Sequence, residues 1–461
     1  MRFINKTKNT VVVGDIDLVV PYIEDEPQSI DADLVKKSDN FRLLVKLGQF
    51  QIVEHDDTVF EKNLTKMQDQ YKTPIKKVEV KEKSPEKDSA IEVKIRGHMY
   101  EAGGYAKVNR NLALGLNKLG CKIQLDPVNK ASNNLEESEI RILNKVNKTV
   151  SRSAIVIDSM IPTFSNMSGG AYRILYTTIE ASSIPQQFVD ICNNYNEIWV
   201  ASDFCKEVLN KYNIQRPIYV IPDSININDY QPTGDKFTFN PPLGSFAFLS
   251  VFGWSYRKGY DLLLKAYLRE FSSQDDVSLL LATRVNYNTN KNSEIKKTIK
   301  DYIKRYAPEN APHISLYSNI IPESNMASLY RSADAFALFS RGEGFGLPYC
   351  EASLCGIPVI ATNHSGQTMF LKNNNSYLID IDSVSPLQQG LMDVHYWDEQ
   401  LFPELTSEKT IEDAQKIMRQ VFEKRDGRNN ILQKFVKENY SVENVSKIAY
   451  ARLEQIWRKI K

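Results

Sequence analysis

The sequence predicts an α/β protein: two Rossmann-like, doubly wound domains, with a small α+β module in front of them. Three observations predict it. Short apolar strands alternate with helices twice along the chain, from Ile91 to Ile221 and again from Phe246 to Ile379, as in parallel sheets covered on both faces. A proline-containing break, QPTGDKFTFNPPLG at Gln231 to Gly244, separates the two series. Late in the second series, SRGEGFGLPYCE (Ser340 to Glu351) crowds glycines between a strand and a helix, an arrangement that leaves backbone N–H groups free to hold an anion.

Residues 1–72 read as an accessory module. TVVVGDIDLVVPY (Thr10 to Tyr22) holds two short strands around Gly14. A helix-like stretch runs from about Asp31 to Leu47, a strand lies at Phe50 to Val53, and a polar helix extends to about Tyr71. Residues 73–90, TPIKKVEVKEKSPEKDSA, are rich in Lys and Glu and carry no aromatic side chain, the composition of a flexible linker.

Residues 91–238 make the first domain. Its strands are expected at Ile91 to Ile95, Lys122 to Leu125, Ala154 to Asp158, Arg173 to Thr177, Glu197 to Val200 and Ile218 to Ile221. Helices are expected at Tyr105 to Leu119, closed by Gly120, and at Ser202 to Tyr212. The second domain, 242–410, has strands at Phe246 to Phe252, Val277 to Ala282, His313 to Tyr317, Ala335 to Phe339, Pro358 to Ala361 and Tyr377 to Ile379. Residues 411–461 read as helices.

Composition narrows the class. Hydrophobic content of 42% and charged content of 25% are those of an ordinary globular protein. A net charge of +1 supplies no global field to draw in nucleic acid or an anionic membrane. No run of 18 apolar residues suggests a transmembrane helix, and MRFINKTKNT lacks the apolar core of a leader peptide. Five scattered cysteines (Cys121, Cys192, Cys205, Cys350, Cys355) form neither a disulfide framework nor a zinc pattern, so a cytoplasmic location is expected.

Glu343 falls in the Gly-rich turn and Glu351 about one helical turn into the following helix, so both carboxylates can face one ligand. Two carboxylates beside an anion-binding turn suit a molecule rich in hydroxyls and carrying phosphate, which points to a sugar nucleotide. The segment resembles the E-x7-E signature of the retaining GT-B glycosyltransferases of glycosyltransferase family 4. ASLCGIPVIAT (Ala352 to Thr362) and SGQTMFL (Ser365 to Leu371) continue the pattern in register.

The resemblance covers roughly residues 91–461. It implies the GT-B fold, with the C-terminal helices crossing back to brace the first domain. A nucleotide-diphosphate sugar would bind mainly on the second domain and an acceptor (a glycan, a protein or a modified nucleic acid) on the first. Transfer would retain configuration and need no metal or other cofactor. Glu351 would take the ribose hydroxyls, and Glu343 would lie near the transferred sugar as a catalytic carboxylate. Gly344, Phe345 and Gly346 would form the donor-binding turn, Ile320 or Ile321 would offer backbone groups to the base, and the N–H of Gly366 would add a phosphate contact.

The turn FGWSYRKGYDLLLKAY (Phe252 to Tyr267) places Arg257 and Lys258 at a strand end just before a helix, where cations and helix dipole together suit a diphosphate. The family's R-K-G element is kept at Arg257, Lys258 and Gly259, while Trp254 stands where an earlier Arg is usual. In GHMYEAGGYAKVNRNLALGLNKLG (Gly97 to Gly120), Gly103 and Gly104 precede an amphipathic helix and resemble the family's glycine loop, able to close over the donor. His98 in the same loop is a candidate acceptor contact. Glu180 takes the place of the His or Glu found near the sugar in many relatives, and is the second catalytic candidate.

Two D-x-D triplets, Asp15 with Asp17 and Asp380 with Asp382, match a metal motif of a different glycosyltransferase fold, but so short a pattern recurs by chance. The five histidines (55, 98, 313, 364, 395) show no ligand spacing. The same paired-domain architecture would also serve a sugar-nucleotide epimerase, a phosphorylase or a non-catalytic carbohydrate-binding protein. The module at 1–72 would bind the acceptor, a partner protein or another copy of itself.

Overall fold

The computed structural model describes residues 90–101, 103–128, 135–165, 169–239, 243–285, 292–387, 399–425 and 429–461, together with the backbone of five short strands before residue 55. The chain divides into two compact units, one of Met1–Asp88, Thr163–Ser168 and Lys459–Lys461, the other of Ser89–Pro162 and Gly169–Arg458.

In the first unit, β1 (Arg2–Asn5) pairs antiparallel with β4 (Gln28–Ser29) and β5 (Phe50–Glu54). β2 (Val11–Val13) and β3 (Leu18–Val20), the two short strands expected around Gly14, pair antiparallel. The helices expected at 31–47 and up to Tyr71, and the linker to residue 89, lie outside the described residues.

The second unit contains two six-stranded parallel sheets. The first is built from β6 (Glu92–Gly97), β7 (Lys122–Pro127), β8 (Ile155–Ser159), β9 (Tyr172–Thr177), β10 (Glu197–Val200) and β11 (Ile218–Val220). Their spatial order is β11-β10-β9-β8-β6-β7. The second comprises β12 (Phe246–Gly253), β13 (Val277–Arg284), β14 (His313–Tyr317), β15 (Ala335–Leu338), β16 (Val359–Thr362) and β17 (Tyr377–Ile379), in the order β14-β13-β12-β15-β16-β17. The central strands are near-continuous apolar runs because both of their faces are covered. All of Val277 to Thr283 in β13 and all of β10 and β15 are buried.

Helices α1 (Gly104–Lys118), α2 (Glu137–Val146), α3 (Gln186–Cys192) and α4 (Asp203–Asn210) belong to the first series. α5 (Tyr260–Glu270), α6 (Asn292–Tyr306), α7 (Glu323–Arg331) and α8 (Leu347–Leu354) belong to the second. Three more close the chain: α9 (Glu408–Lys424), α10 (Asn430–Tyr440) and α11 (Val442–Ile460).

The expectation that all helices after 411 cross back needs correcting for α9. It packs on α5, and its Arg419 pairs with Glu270 and Asp275 at 2.8 and 2.9 Å, so it stays with the second sheet. The return begins at the end of α10, where Ile225 N–H donates to Tyr440 O (2.9 Å) and Val442 N–H to Ile225 O (3.1 Å). α11 then packs on the first domain. Its Arg452 reaches the buried Glu197 (2.5 Å), whose carboxylate also accepts from Tyr172 and Trp199, as a buried charge requires.

Candidate active site

In the second sheet, chain order reverses between the neighbours β12 and β15. Ligands of doubly wound sheets bind outside the carboxyl ends of strands at such a switch point. The turn after β12 carries Arg257 and Lys258, and the turn after β15 carries Glu343. Arg341 clamps the two turns together. Its guanidinium grips Asp261 with two bonds of 2.7 Å, donates to Tyr256 O (2.8 Å) and lies 3.8 Å from the centre of the Tyr256 ring. Its backbone N–H donates to Arg257 O (2.6 Å). Gly259 makes this closeness possible: φ is +65°, and a Cβ there would run into the Phe339 carbonyl.

Four sequence-predicted residues meet in one cluster. Lys258 Nζ lies 2.5 Å from Glu343 Oε1, Arg257 Nη1 lies 3.9 Å from the same oxygen, and Arg257 Nη2 lies 3.1 Å from Glu180 Oε1. Burial pushes the Glu343 carboxyl up, but Lys258 and Arg257 outweigh it and hold the group below the ordinary carboxylate range. Burial and neighbouring Arg257 lower Lys258, against the pull of Glu343 and Glu180.

Glu180 comes from the first domain, and its loop is strapped in place by a pair of strands from the chain beyond the second sheet. β18 (Val384–Pro386) and β19 (Leu401–Pro403) pair antiparallel, Ser182 N–H donates to Leu401 O (2.7 Å), and Leu401 N–H donates to Ser183 Oγ (2.8 Å). The glycines of the Glu343 turn let the first domain come close. A Cβ at Gly342 would strike the Glu180 carbonyl and one at Gly344 would strike Thr178, while Ser202 Oγ donates to Gly344 O (2.6 Å).

Glu351 sits in a separate network. Lys107 Nζ, from α1 of the first domain, lies 2.7 Å from Oε1, and the Tyr330 hydroxyl donates to Oε2 (2.7 Å). Lys107 also pairs with Glu323 (2.6 Å) and donates to the Tyr230 hydroxyl (2.8 Å). Burial works against its charge, yet Glu351 and Glu323 prevail and raise its pKa. The E-x7-E carboxylates thus differ in kind: Glu343 is paired within its own domain, Glu351 with the other one.

The remaining expected residues fall around these networks. Gly103 and Gly104 are exposed at the start of α1, and nothing among the described atoms lies within 4 Å of a Cβ built on Gly104, so the glycine there leaves open space. His98 is half-buried, with Nδ1 2.6 Å from Glu101 Oε1. Ile320 is 46% exposed and Ile321 half-buried in the loop after β14.

Gly346, at φ +104°, caps the start of α8, where Pro348 has no N–H to offer and Tyr349 N–H donates back to Gly346 O (3.1 Å). Phe345 is buried against Phe370 and Tyr440, with ring centres 5.1 and 5.0 Å away. The expectation for Gly366 needs correcting. Its N–H donates to Glu343 O (2.9 Å), and a Cβ would run into Gly344, so it supports the turn and has no free donor for a phosphate. His364 lies against Ser182 (3.1 Å), and burial lowers it to about 4.

Asp382 accepts from Ser407 and Lys409 at the start of α9, and Asp380 from Asn363. Among the described residues no group of three His, Cys, Asp or Glu side chains is placed to hold a metal ion. Asp15 and Asp17 lie outside the described residues. Among the described residues no helix is long and apolar enough to cross a membrane. Trp254 is stacked on Tyr260 (4.1 Å) and packs beside Phe252.

Sequence reasoning missed Lys107, Arg341 and Tyr230. The available signal was charge on an apolar face: Lys107 and Arg110 are buried along α1 between Ala106 and Ala113.

Residues 234–395 match the family model described as glycosyl transferases group 1, a span containing Arg257, Lys258, Glu343 and Glu351. The chain is 27% identical over 178 residues to a D-inositol 3-phosphate glycosyltransferase of Segniliparus rotundus, covering 37% of this chain and 36% of that protein. It is also 27% identical over 165 residues to a mannosylfructose-phosphate synthase of Agrobacterium fabrum, covering 34% and 36%. The chain spans about a third of the length of these curated relatives.

Among solved structures, sucrose-phosphate synthase from Thermosynechococcus elongatus superposes with a TM-score of 0.57 at 13% identity, over 80% of this chain and 99% of that one. Anabaena HepE, in complex with UDP and glucose, gives 0.52 at 12% identity, over 79% and 99%. The fold is GT-B: two Rossmann-like sheets, as the sequence predicted.

Proposed function

We propose that this chain is a retaining glycosyltransferase of the E-x7-E type, moving a sugar from a nucleotide-diphosphate donor to an acceptor hydroxyl. The observation that carries the reading is the cluster of Lys258, Arg257, Glu343 and Glu180 at the switch point of the sheet that matches the family model. The cluster sums two cations and two carboxylates. A diphosphate entering it draws Arg257 and Lys258 to its oxygens and releases the carboxylates toward the sugar.

The bond from the sugar's C1 to the diphosphate oxygen breaks with its electron pair going to phosphate, where the two cations stabilise it. Glu343 and Glu180 face the positive charge that develops at C1, an interaction stronger in the transition state than in the ground state. The acceptor oxygen bonds to C1 on the face the diphosphate leaves, and its proton passes to a phosphate oxygen. Arg257 and Lys258 supply the charge that a metal would otherwise bring. Glu351 takes the ribose hydroxyls, and the acceptor approaches from the first domain past His98.

HepE was solved with UDP and glucose, which makes UDP-glucose the first donor to try. The test is release of nucleoside diphosphate from UDP-, GDP-, ADP- and TDP-sugars, with the anomeric configuration of the product read by NMR. Release from one donor with configuration kept is expected. Inversion would remove the retaining mechanism. Turnover that requires inorganic phosphate would indicate a phosphorylase, and isomerised donor without acceptor an epimerase.

A further inference from the structure

Glu351 is held from both sides of the cleft. The Tyr330 hydroxyl, on the second domain, donates to Oε2 at 2.7 Å, and Lys107, on the first, approaches Oε1 to 2.7 Å. A carboxylate offers about four lone-pair positions; the Tyr230 hydroxyl also bonds to Glu351, which leaves one position open and a second that a ribose hydroxyl gains by replacing Tyr230. Two acceptors side by side on a fixed carboxylate match the two vicinal hydroxyls of a ribose.

The lysine is placed for this task. Lys107 N–H donates to Gly103 O (3.0 Å), so its side chain leaves the same loop–helix junction that carries Gly103 and Gly104. The ammonium is buried and fully engaged: Glu323 Oε1 lies at 2.6 Å, the Tyr230 hydroxyl at 2.8 Å and the Tyr230 ring centre at 4.7 Å. Arg110 supports Glu323 from the next turn of α1, at 3.4 Å. Buried ion pairs contribute little net stability, because desolvation offsets their attraction, but they fix geometry.

We propose that Lys107 is a positioning residue for the nucleotide: it orients Glu351 for the ribose 2′- and 3′-hydroxyls, and thereby makes ribose recognition depend on the docked first domain. This rests on the functional reading above, in which Glu351 meets the ribose.

The test compares whichever of UDP, GDP and ADP binds most tightly with its 2′,3′-dideoxy counterpart, by calorimetry. Hydrogen bonds to a charged group contribute about 1.5–3 kcal/mol, so the parent protein should prefer the ribo form by at least about tenfold. Lys107→Met should bring the two dissociation constants to within about twofold by weakening only the ribo form. Because that substitution leaves Glu351 and Glu323 facing each other unneutralised, the same is measured in Lys107→Met/Glu323→Gln.

Three results overturn the inference while leaving the functional reading intact: variants that keep the parent's preference, variants that weaken both forms equally, and variants that bind the ribo form more tightly. A parent protein that does not distinguish the two forms also overturns it. A parent protein that binds none of the nucleotides overturns the functional reading and the inference with it.

Discussion

Arg257 Nη2 lies 3.1 Å from Glu180 Oε1, while its Nη1 donates to the carbonyl of Gly342 at 2.5 Å. One side chain of the second domain thus fixes both the turn that bears Glu343 and the first-domain loop that bears Glu180. Lys107 and Glu351 make the complementary contact, with the cation now on the first domain.

Arg257→Ala should weaken binding of a nucleoside diphosphate by about ten- to a hundredfold, the scale of one charge-assisted contact, while barely altering binding of the nucleoside. Calorimetry with both ligands decides. Equal losses for both would remove the phosphate role.

Gly342→Ala should depress kcat/KM by at least about tenfold, since the new methyl meets the Glu180 carbonyl and the two domains must part to admit it. The obstacle is backbone, which cannot swing aside as a side chain can. Steady-state kinetics at parent-like rates would show that close contact is not needed for turnover.

Arg341→Leu should cost about 3–5 kcal/mol of stability, because it strands Asp261 in a buried site. The double variant Arg341→Leu/Asp261→Leu should recover much of that loss in denaturant titration. If the double variant is as unstable as the single, the clamp matters through the Tyr256 and Arg257 backbone contacts instead.

Asp223 supplies a pH-dependent prediction. Burial raises its carboxyl to about 7, only partly offset by the Tyr176 hydroxyl 3.2 Å away. Its folded-state pKa exceeds the unfolded value, so the native state binds the extra proton between about pH 4 and pH 7, and this contribution to stability falls as pH rises through that window. His364, lowered to about 4, acts in the opposite sense over much of the same range. Asp223→Asn removes the first contribution alone. Its stability relative to the parent should therefore rise by on the order of 2 kcal/mol from pH 5 to pH 7, measured by urea unfolding at both values. A difference independent of pH would mean that Asp223 is not held protonated.

Much of this architecture was legible in the sequence, for physical reasons. The strand runs are either apolar on both faces, as in β13 and β15, or alternate polar and apolar residues, as in β6 and β7, and are bounded by turn residues, so β10, β14 and β17 were placed at their observed ends and the other sheet strands within two residues at either end. The Glu343 turn announced itself because glycine at a strand-to-helix junction leaves few alternatives. α2 was missed although Glu136 and Glu139 form a capping box visible in the sequence.

Contacts between distant segments were harder to read. Lys107 and Glu351 are 244 positions apart and meet only because two domains dock. α9 has a clear apolar face at Ile411, Ala414, Met418 and Val421, but periodicity shows that a face is buried and not which sheet buries it. Gly366 likewise looked like an open helix start, because nothing in its local sequence reveals that Glu343 O accepts its N–H.

The central claim is that Glu343 serves the chemical step. The most direct measurement is nucleotide release from the donor that the parent protein turns over, compared between parent and Glu343→Gln, with the nucleotide dissociation constant measured in parallel. The account predicts that release falls by at least about a hundredfold while the dissociation constant stays within about threefold. Release at the parent rate, with binding unchanged, would contradict it.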